Sequence, residues 1–142
     1  MKRSIRGPRR IVLYRASKYA TLPADCASFA EDIETARAYL DNPGFGGALL
    51  LRTKVERDDD RILNLADENY PEERLADLCD VPLDTLMGGV ETAIPASIEL
   101  QECLREHGYD WVLVPESYPE DTVTWLWIGP WDREPELEVI DT

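Results

Sequence analysis

Histidine is nearly absent from this chain, with one residue in 142, and cysteine occurs only three times. Cys26, Cys79 and Cys103 are widely spaced and form no Cys-x-x-Cys pair. A zinc site would therefore need several carboxylate ligands, which is an uncommon composition for such a site. We interpret the three cysteines as buried free thiols of a protein in a reducing compartment, and we expect no bound metal.

Long apolar runs are missing as well, since none approaches the ~20 residues that a helix needs to cross a bilayer. The first residues, MKRSIRGPRR, are basic, but the apolar stretch that follows ends at Arg15 and is too short for a secretory signal. We therefore expect a cytoplasmic protein with no membrane association. The length of 142 residues predicts one domain over residues 1–142.

Basic residues are scarce, with 15 against 29 acidic residues and a net charge of −14. Seven of the bases lie within residues 1–20, which contain no acid, and we interpret residues 1–10 as a flexible basic arm. The rest of the chain has 8 bases and 29 acids, a balance of −21. Because such a body repels phosphates, direct nucleic-acid binding is not expected. The acidic surface either serves solubility alone or docks on the basic surface of a partner protein.

The apolar pattern predicts strands and helices in alternating groups. Strands are predicted over residues 11–15, 48–55, 61–65, 111–114 and 122–128, with an edge strand over 137–140. Helices are predicted over residues 71–78, 83–87 and 95–107, and a further one carries Phe29, Ile33, Ala36 and Leu40 on one face. Either Asp32 or Ser28 caps that helix, and Ser28 with Glu31 fits a capping box. This order predicts an α+β fold with helices covering mixed, mostly antiparallel sheets.

Four segments follow one another along the chain: LYRAS, SFAEDIETARAYL, GGALLLRTKV and HGYDWVLVPESYPEDTVTWLWI. Together they resemble the ADP-ribosyltransferase fold. In that family an arginine or histidine ends the first strand, a Ser-Phe-Ser/Thr segment leads into a helix with an Ala-x-x-Tyr pattern, and a strand led by glycine follows. Here LYRAS, SFAEDIETARAYL and GGALLLRTKV hold those places, and HGYDWVLVPESYPEDTVTWLWI resembles the ending of small bacterial and phage members. The resemblance spans roughly residues 11–128; Ala16 and Ala30 depart from the usual glycine and Ser or Thr. It implies an ADP-ribosyltransferase-like domain, and the departures leave a binding-only domain open.

The resemblance also implies a reaction, the cleavage of the nicotinamide–ribose bond of NAD. Its transition state resembles an oxocarbenium ion, which a nearby carboxylate stabilises. Arg15 would bind the pyrophosphate or ribose of NAD, or it pairs with an acid at the surface. Glu116 or Glu120 would stabilise the ribosyl cation, unless both lie in a solvated turn. Glu116 is the preferred candidate because it directly follows the apolar strand predicted over residues 111–114.

Three further residues are implied in NAD binding. Ser28 would brace the ribose or the catalytic glutamate, in addition to or instead of capping the helix. Phe29 and Tyr39 would stack on nicotinamide, although aromatic residues at helical spacing more often belong to a core. The four tryptophans, Trp111, Trp125, Trp127 and Trp131, form either a core between sheets or a partner surface.

Two functions of different classes follow from these patterns. The first is an NAD-dependent ADP-ribosyltransferase that modifies a macromolecular target, in a phage or bacterial effector that inhibits a host defence complex or in a toxin. The second is a non-catalytic acidic protein, a nucleic-acid mimic or an immunity-type partner, that occupies a basic surface. The two functions differ in whether NAD is bound and consumed.

Overall fold

The computed structural model describes residues 10–17, 22, 26–40, 49–56, 61–115, 123–129 and 135–140, without the side chains of residues 39 and 40. The strands are β1 Arg10–Ser17, β2 Ala27–Ala30, β3 Leu49–Glu56, β4 Ile62–Asn64, β5 Trp111–Pro115, β6 Val123–Trp127 and β7 Glu138–Ile140. The helices are α1 Ile33–Leu40, α2 Pro71–Cys79, α3 Val90–Ala96 and α4 Ile98–Glu106, with a 3₁₀ turn at Leu83–Leu86. These described elements make a mixed α+β fold.

Most strand pairs are antiparallel. This holds for β1 with β3, β3 with β7, and β5 with β6, whereas β4 pairs with β5 in parallel. The predicted fold class, α+β with mostly antiparallel strands, is confirmed at this level. Among the described residues no helix is long and apolar enough to cross a membrane.

The chain forms two compact units, and the prediction of one domain stays a prediction. The first unit comprises the described parts of residues 1–21, 30–59 and 135–142. In it β1 pairs with β3 along its whole length, from Arg10 opposite Glu56 to Ser17 opposite Leu49, and β7 lies on the other side of β3. Leu50 and Leu51 are both fully buried, so both faces of β3 are covered there.

The second unit comprises the described parts of residues 22–29 and 60–134, and its strand order is β4-β5-β6-β2. Helices α2, α3 and α4 pack on these strands through one apolar core. That core comprises Leu63, Leu65, Leu75, Leu86, Val90, Ile94, Leu100, Leu104, Val112, Val114, Leu126 and Ile128. The apolar runs that predicted strands over 111–114 and 122–128 therefore reflect strands buried on both faces.

The start of the first helix differs from the prediction. Ser28 and Phe29 lie in strand β2, and α1 begins only at Ile33. Asp32 is the capping residue, because its Oδ1 accepts a hydrogen bond from the Glu34 amide at 3.2 Å. The capping box with Ser28 and the place of Phe29 on the helical face were wrong, since a four-residue Ala-Ser-Phe-Ala run fits either period.

The helix predicted over residues 95–107 is two helices. α3 ends at Ala96, and Ser97 has extended backbone angles of φ −130° and ψ 109°. Its Oγ accepts a hydrogen bond from the Leu100 amide at 3.2 Å and so caps α4. We expected Pro95 to open a helix, but it lies in the last turn of α3.

Candidate functional site

The six candidate NAD-site residues fall in three places. Arg15 and Tyr39 belong to the first unit, and Ser28 and Phe29 to the second. Glu116 and Glu120 lie outside the described residues, as does most of the basic arm. Tyr39 lies in the last turn of α1, and its side chain is outside the described atoms. The assignment of these six residues to an NAD site stays a prediction.

Arg15 lies in the interior of β1 rather than at a strand end. It pairs with the fully buried Leu51 of β3. Because side chains alternate along a strand, it shares a face with Leu13 and Ser17, which are both buried. The Arg15 side chain is itself partly buried, and its Nε atom is inaccessible to solvent. The register of β1 with β3 therefore fixes the sheet face on which the Arg15 side chain lies.

Two other arginines of the first unit, Arg10 and Arg52, form ion pairs with glutamates. Arg10 Nε lies 3.0 Å from Glu56 Oε2, and Arg52 Nη2 lies 3.0 Å from Glu138 Oε1. Both pairs are solvent-exposed cross-strand ion pairs, which contribute little to stability. These two arginines have the ordinary surface role, and they supply matched controls for Arg15.

In β2, Ser28 and Phe29 point in opposite directions, as successive strand residues do. The Ser28 side chain is exposed, whereas Phe29 is 2% exposed. The Phe29 ring packs edge-to-face on Trp111, with ring centroids 5.4 Å apart and planes at 68°. Phe29 is thus a core residue of the second unit, and the Ser28 hydroxyl is the accessible polar group of this strand.

The tryptophans of β5 and β6 continue this aromatic cluster. The Trp111 ring lies 5.9 Å from that of Trp125 and 5.2 Å from that of Trp127, in edge-to-face geometry. All three residues are buried. Of the two interpretations of the tryptophans, a core and a partner surface, these three have the core role; Trp131 is outside the described residues.

Two concave regions occur among the described residues, one in each unit. The first, of about 780 Å³, lies along β1, β3 and β7 and is lined by charges of both signs, including Arg52, Lys54 and Glu136. The second, of about 460 Å³, lies between α2, α3 and α4 and is lined mainly by apolar residues, with Cys79 and Cys103 in its wall. Sequence reasoning predicted neither region, because each is built from elements that are distant along the chain.

No metal centre is evident in the part of the chain that the structure describes: no three histidine, cysteine or acidic side chains there are grouped so that they could hold an ion. No disulfide joins the three cysteines, and all three are half-buried. His107 caps the end of α4, and its Nε2 lies 3.1 Å from the carbonyl oxygen of Leu78. A carbonyl only accepts, so Nε2 carries the proton and donates this hydrogen bond.

The helices of the second unit form a strongly acidic surface, which we call the helical layer: α2, the 3₁₀ turn, α3 and α4. Over residues 71–107 its acids are Glu72, Glu73, Asp77, Asp80, Asp84, Glu91, Glu99, Glu102 and Glu106. Its two basic residues, Arg74 and Arg105, interact with groups outside residues 71–107. Arg74 lies 3.7 Å from Glu68, and Arg105 donates to the carbonyl of Ile128 at 2.7 Å.

The helical layer also exposes large apolar side chains among these acids. Met87 is 71% exposed and Ile98 61%, and Leu83 is exposed as well. The charge asymmetry was visible in the sequence, whereas the exposure of these apolar side chains was not predicted from it.

No protein-family model matches the chain, and no curated protein matches it.

Proposed function

We propose that this protein is an NAD-dependent ADP-ribosyltransferase with an ADP-ribosyltransferase-like fold, acting on a macromolecular target. The observation that carries the proposal is Arg15, a partly buried arginine in the interior of β1, the strand that holds the LYRAS motif. The motif resemblance over residues 11–128 supports it.

In this proposal each candidate residue has a separate role in binding NAD or in cleaving it. The bond that is cleaved is the C–N bond between the ribose and the nicotinamide of NAD. Its cleavage leaves positive charge on the ribose. Arg15 donates two hydrogen bonds to the pyrophosphate and holds the dinucleotide. Ser28 orients the ribose, and Glu116 or Glu120 provides the carboxylate that stabilises the developing charge.

Label transfer from NAD tests this function with controls that the fold provides. The protein is incubated with labelled NAD and a bacterial lysate, as wild type and as the Arg15→Ala and Glu116→Gln variants. Arg52→Ala and Glu106→Gln are matched controls, because Arg52 forms an exposed ion pair and Glu106 lies on the exposed face of α4. We expect wild type and both controls to transfer label, and Arg15→Ala to lose at least 10-fold.

Two outcomes would count against the proposal. No label transfer by the wild type would remove the enzymatic function. Full activity in Arg15→Ala would remove the site assignment while leaving the reaction in place. If Glu116→Gln stays active, Glu120→Gln is measured next. If both variants keep full label transfer, the assignment of the catalytic carboxylate to these two residues is wrong.

A second function, docking on a basic partner protein, is favoured by the helical layer. Seven of its nine acids are exposed, and its exposed Met87 and Ile98 supply apolar area next to them. Charge complementarity accelerates association with a basic partner, and apolar contacts at the centre of a patch add affinity.

The docking function predicts a surface-specific effect of charge reversal. Binding to a panel of purified basic nucleic-acid-binding proteins is measured at 50 and 300 mM salt. Asp77→Lys with Glu102→Lys should weaken binding at least 10-fold, because both residues lie on the helical layer. Glu31→Lys with Glu136→Lys, an equal charge change in the first unit, should have little effect. Equal weakening by both pairs would indicate an effect of net charge alone and would contradict a docking surface.

A further inference from the structure

Cys79 and Cys103 come together where α2 meets α4. Cys79 is the last residue of α2, Cys103 lies in α4, and Cys103 Sγ lies 4.0 Å from the carbonyl oxygen of Leu78, the residue next to Cys79. Both line the cavity of about 460 Å³ and are half-buried, so a small molecule that enters the cavity can reach them. The 23 residues between them in the sequence gave no indication of this contact.

The local structure holds the two cysteines in place. Asp80 ends α2 in the left-handed conformation, with φ 53° and ψ 51°. The carbonyl oxygen of Leu78, one residue before Cys79, lies 3.1 Å from His107 Nε2 and 4.0 Å from Cys103 Sγ. Cys103 Sγ and the His107 ring, one turn further along the chain, therefore both contact the carbonyl oxygen of Leu78 near the carboxyl end of α2.

We propose that Cys79 and Cys103 form an oxidative modification site, a dithiol that a peroxide converts reversibly into an intramolecular disulfide. The Cys103 sulfur lies beside the backbone next to Cys79, and both side chains line one cavity, so an S–S bond of about 2.05 Å can join them. The resulting bond links α2 to α4 across the wall of the cavity. A thiol reductant restores the dithiol.

The oxidation balances in two steps. The sulfur of Cys103, as thiolate, attacks one oxygen of hydrogen peroxide; the O–O bond breaks, and the leaving hydroxide takes up the proton released by the thiol, giving a sulfenic acid and one water. The Cys79 sulfur, on losing its proton, attacks the Cys103 sulfur; the S–O bond breaks, and the leaving hydroxide takes that proton as the second water. Two thiols lose two electrons in total, and the peroxide gains them.

The protonation state of the pair sets the order of these steps. Burial raises the pKa of Cys79 to about 12, and its hydrogen bond and charge interaction with Cys103 add to the increase. Cys79 is therefore a thiol at neutral pH, which assigns the first attack to Cys103. Once Cys103 is a sulfenic acid, the interactions with its thiol that helped to raise the pKa of Cys79 are gone, and Cys79 releases its proton more readily.

Peptide mapping of the full-length protein after hydrogen peroxide treatment tests the site. We expect a loss of two hydrogens from the intact mass, a linked peptide pair containing Cys79 and Cys103, and a free thiol at Cys26. Dithiothreitol should restore the original mass. The Tm of the oxidised protein should rise by several degrees, because the bond closes a loop between α2 and α4.

Three variants keep the test decisive. Cys79→Ser and Cys103→Ser should each abolish the linked peptide, and Cys26→Ser should retain it. A linked peptide that involves Cys26, or a loss of two hydrogens in Cys79→Ser, would overturn the proposal. So would conversion of Cys79 or Cys103 to sulfinic acid with no linkage in the wild type.

Discussion

At the scale of single residues, Gly129 shows how closely side chains approach at the end of β6. A Cβ atom added there would lie 2.6 Å from Cη2 of Trp127 and 3.0 Å from Cβ of Asp110. The indole ring cannot move aside, because it packs against Trp111 and is 3% exposed. The absence of a side chain at Gly129 is thus a packing requirement.

We predict that Gly129→Ala lowers the free energy of unfolding by about 1–3 kcal/mol, the usual cost of overpacking. Urea denaturation of the wild type and the variant measures this difference. Gly88→Ala is the matched control, because a Cβ at Gly88 has no heavy atom within 4 Å. Equal stability of Gly129→Ala and the wild type would show that the ring of Trp127 can shift.

At the scale of elements, the break between α3 and α4 depends on one buried amide. Gln101 is 1% exposed, and its Nε2 donates to the carbonyl of Ile94 at 2.9 Å and to that of Pro95 at 3.4 Å. These carbonyls lie in the last turn of α3, and that of Ile94 also accepts a hydrogen bond from the Ser97 amide at 3.2 Å. The side chain of Gln101 therefore allows one helix to end and the next to begin inside the core.

We predict that Gln101→Met destabilises the protein by about 1–3 kcal/mol, because it leaves buried carbonyls without this donor. Glu102→Met, at the neighbouring exposed position of α4, should change stability by under about 0.5 kcal/mol. Thermal unfolding of the three proteins gives the comparison. Similar Tm values for Gln101→Met and the wild type would mean that water replaces the amide.

Sequence periodicity predicted some elements well and failed at others for physical reasons. β1, β3, β5 and β6 were predicted correctly, because each is an apolar run between turn residues. β2 was assigned to a helix, because its pairing with distant strands decides its conformation and a four-residue run cannot. α3 was missed because Gly88-Gly89 and Pro95, which usually separate elements, here flank a short helix and end it.

The candidate site was predictable only in part. Arg15 could be identified from its motif, and the sequence predicted that it lies on a strand. Its partial burial, and the ion pairs of Arg10 and Arg52, depend on the pairing of strands that are distant along the chain. The Cys79–Cys103 pair could not be found from sequence, since it depends on how α2 packs on α4.

At the scale of the whole molecule, the acidic surface and the candidate NAD-binding arginine lie in different parts of the chain. The helical layer of the second unit has nine acids and two bases over residues 71–107. Arg15, in contrast, lies on a strand of the first unit whose neighbouring arginines are paired with glutamates. In the proposed enzyme Arg15 binds the dinucleotide, and the acidic surface is available for a basic macromolecular target.

The most direct test of the central claim is nicotinamide release from NAD by the purified full-length protein, followed by chromatography. We predict release that depends on enzyme concentration, falls at least 10-fold in Arg15→Ala and is unchanged in Arg52→Ala. The absence of nicotinamide release at millimolar NAD, both alone and with lysate proteins as acceptors, would contradict the claim.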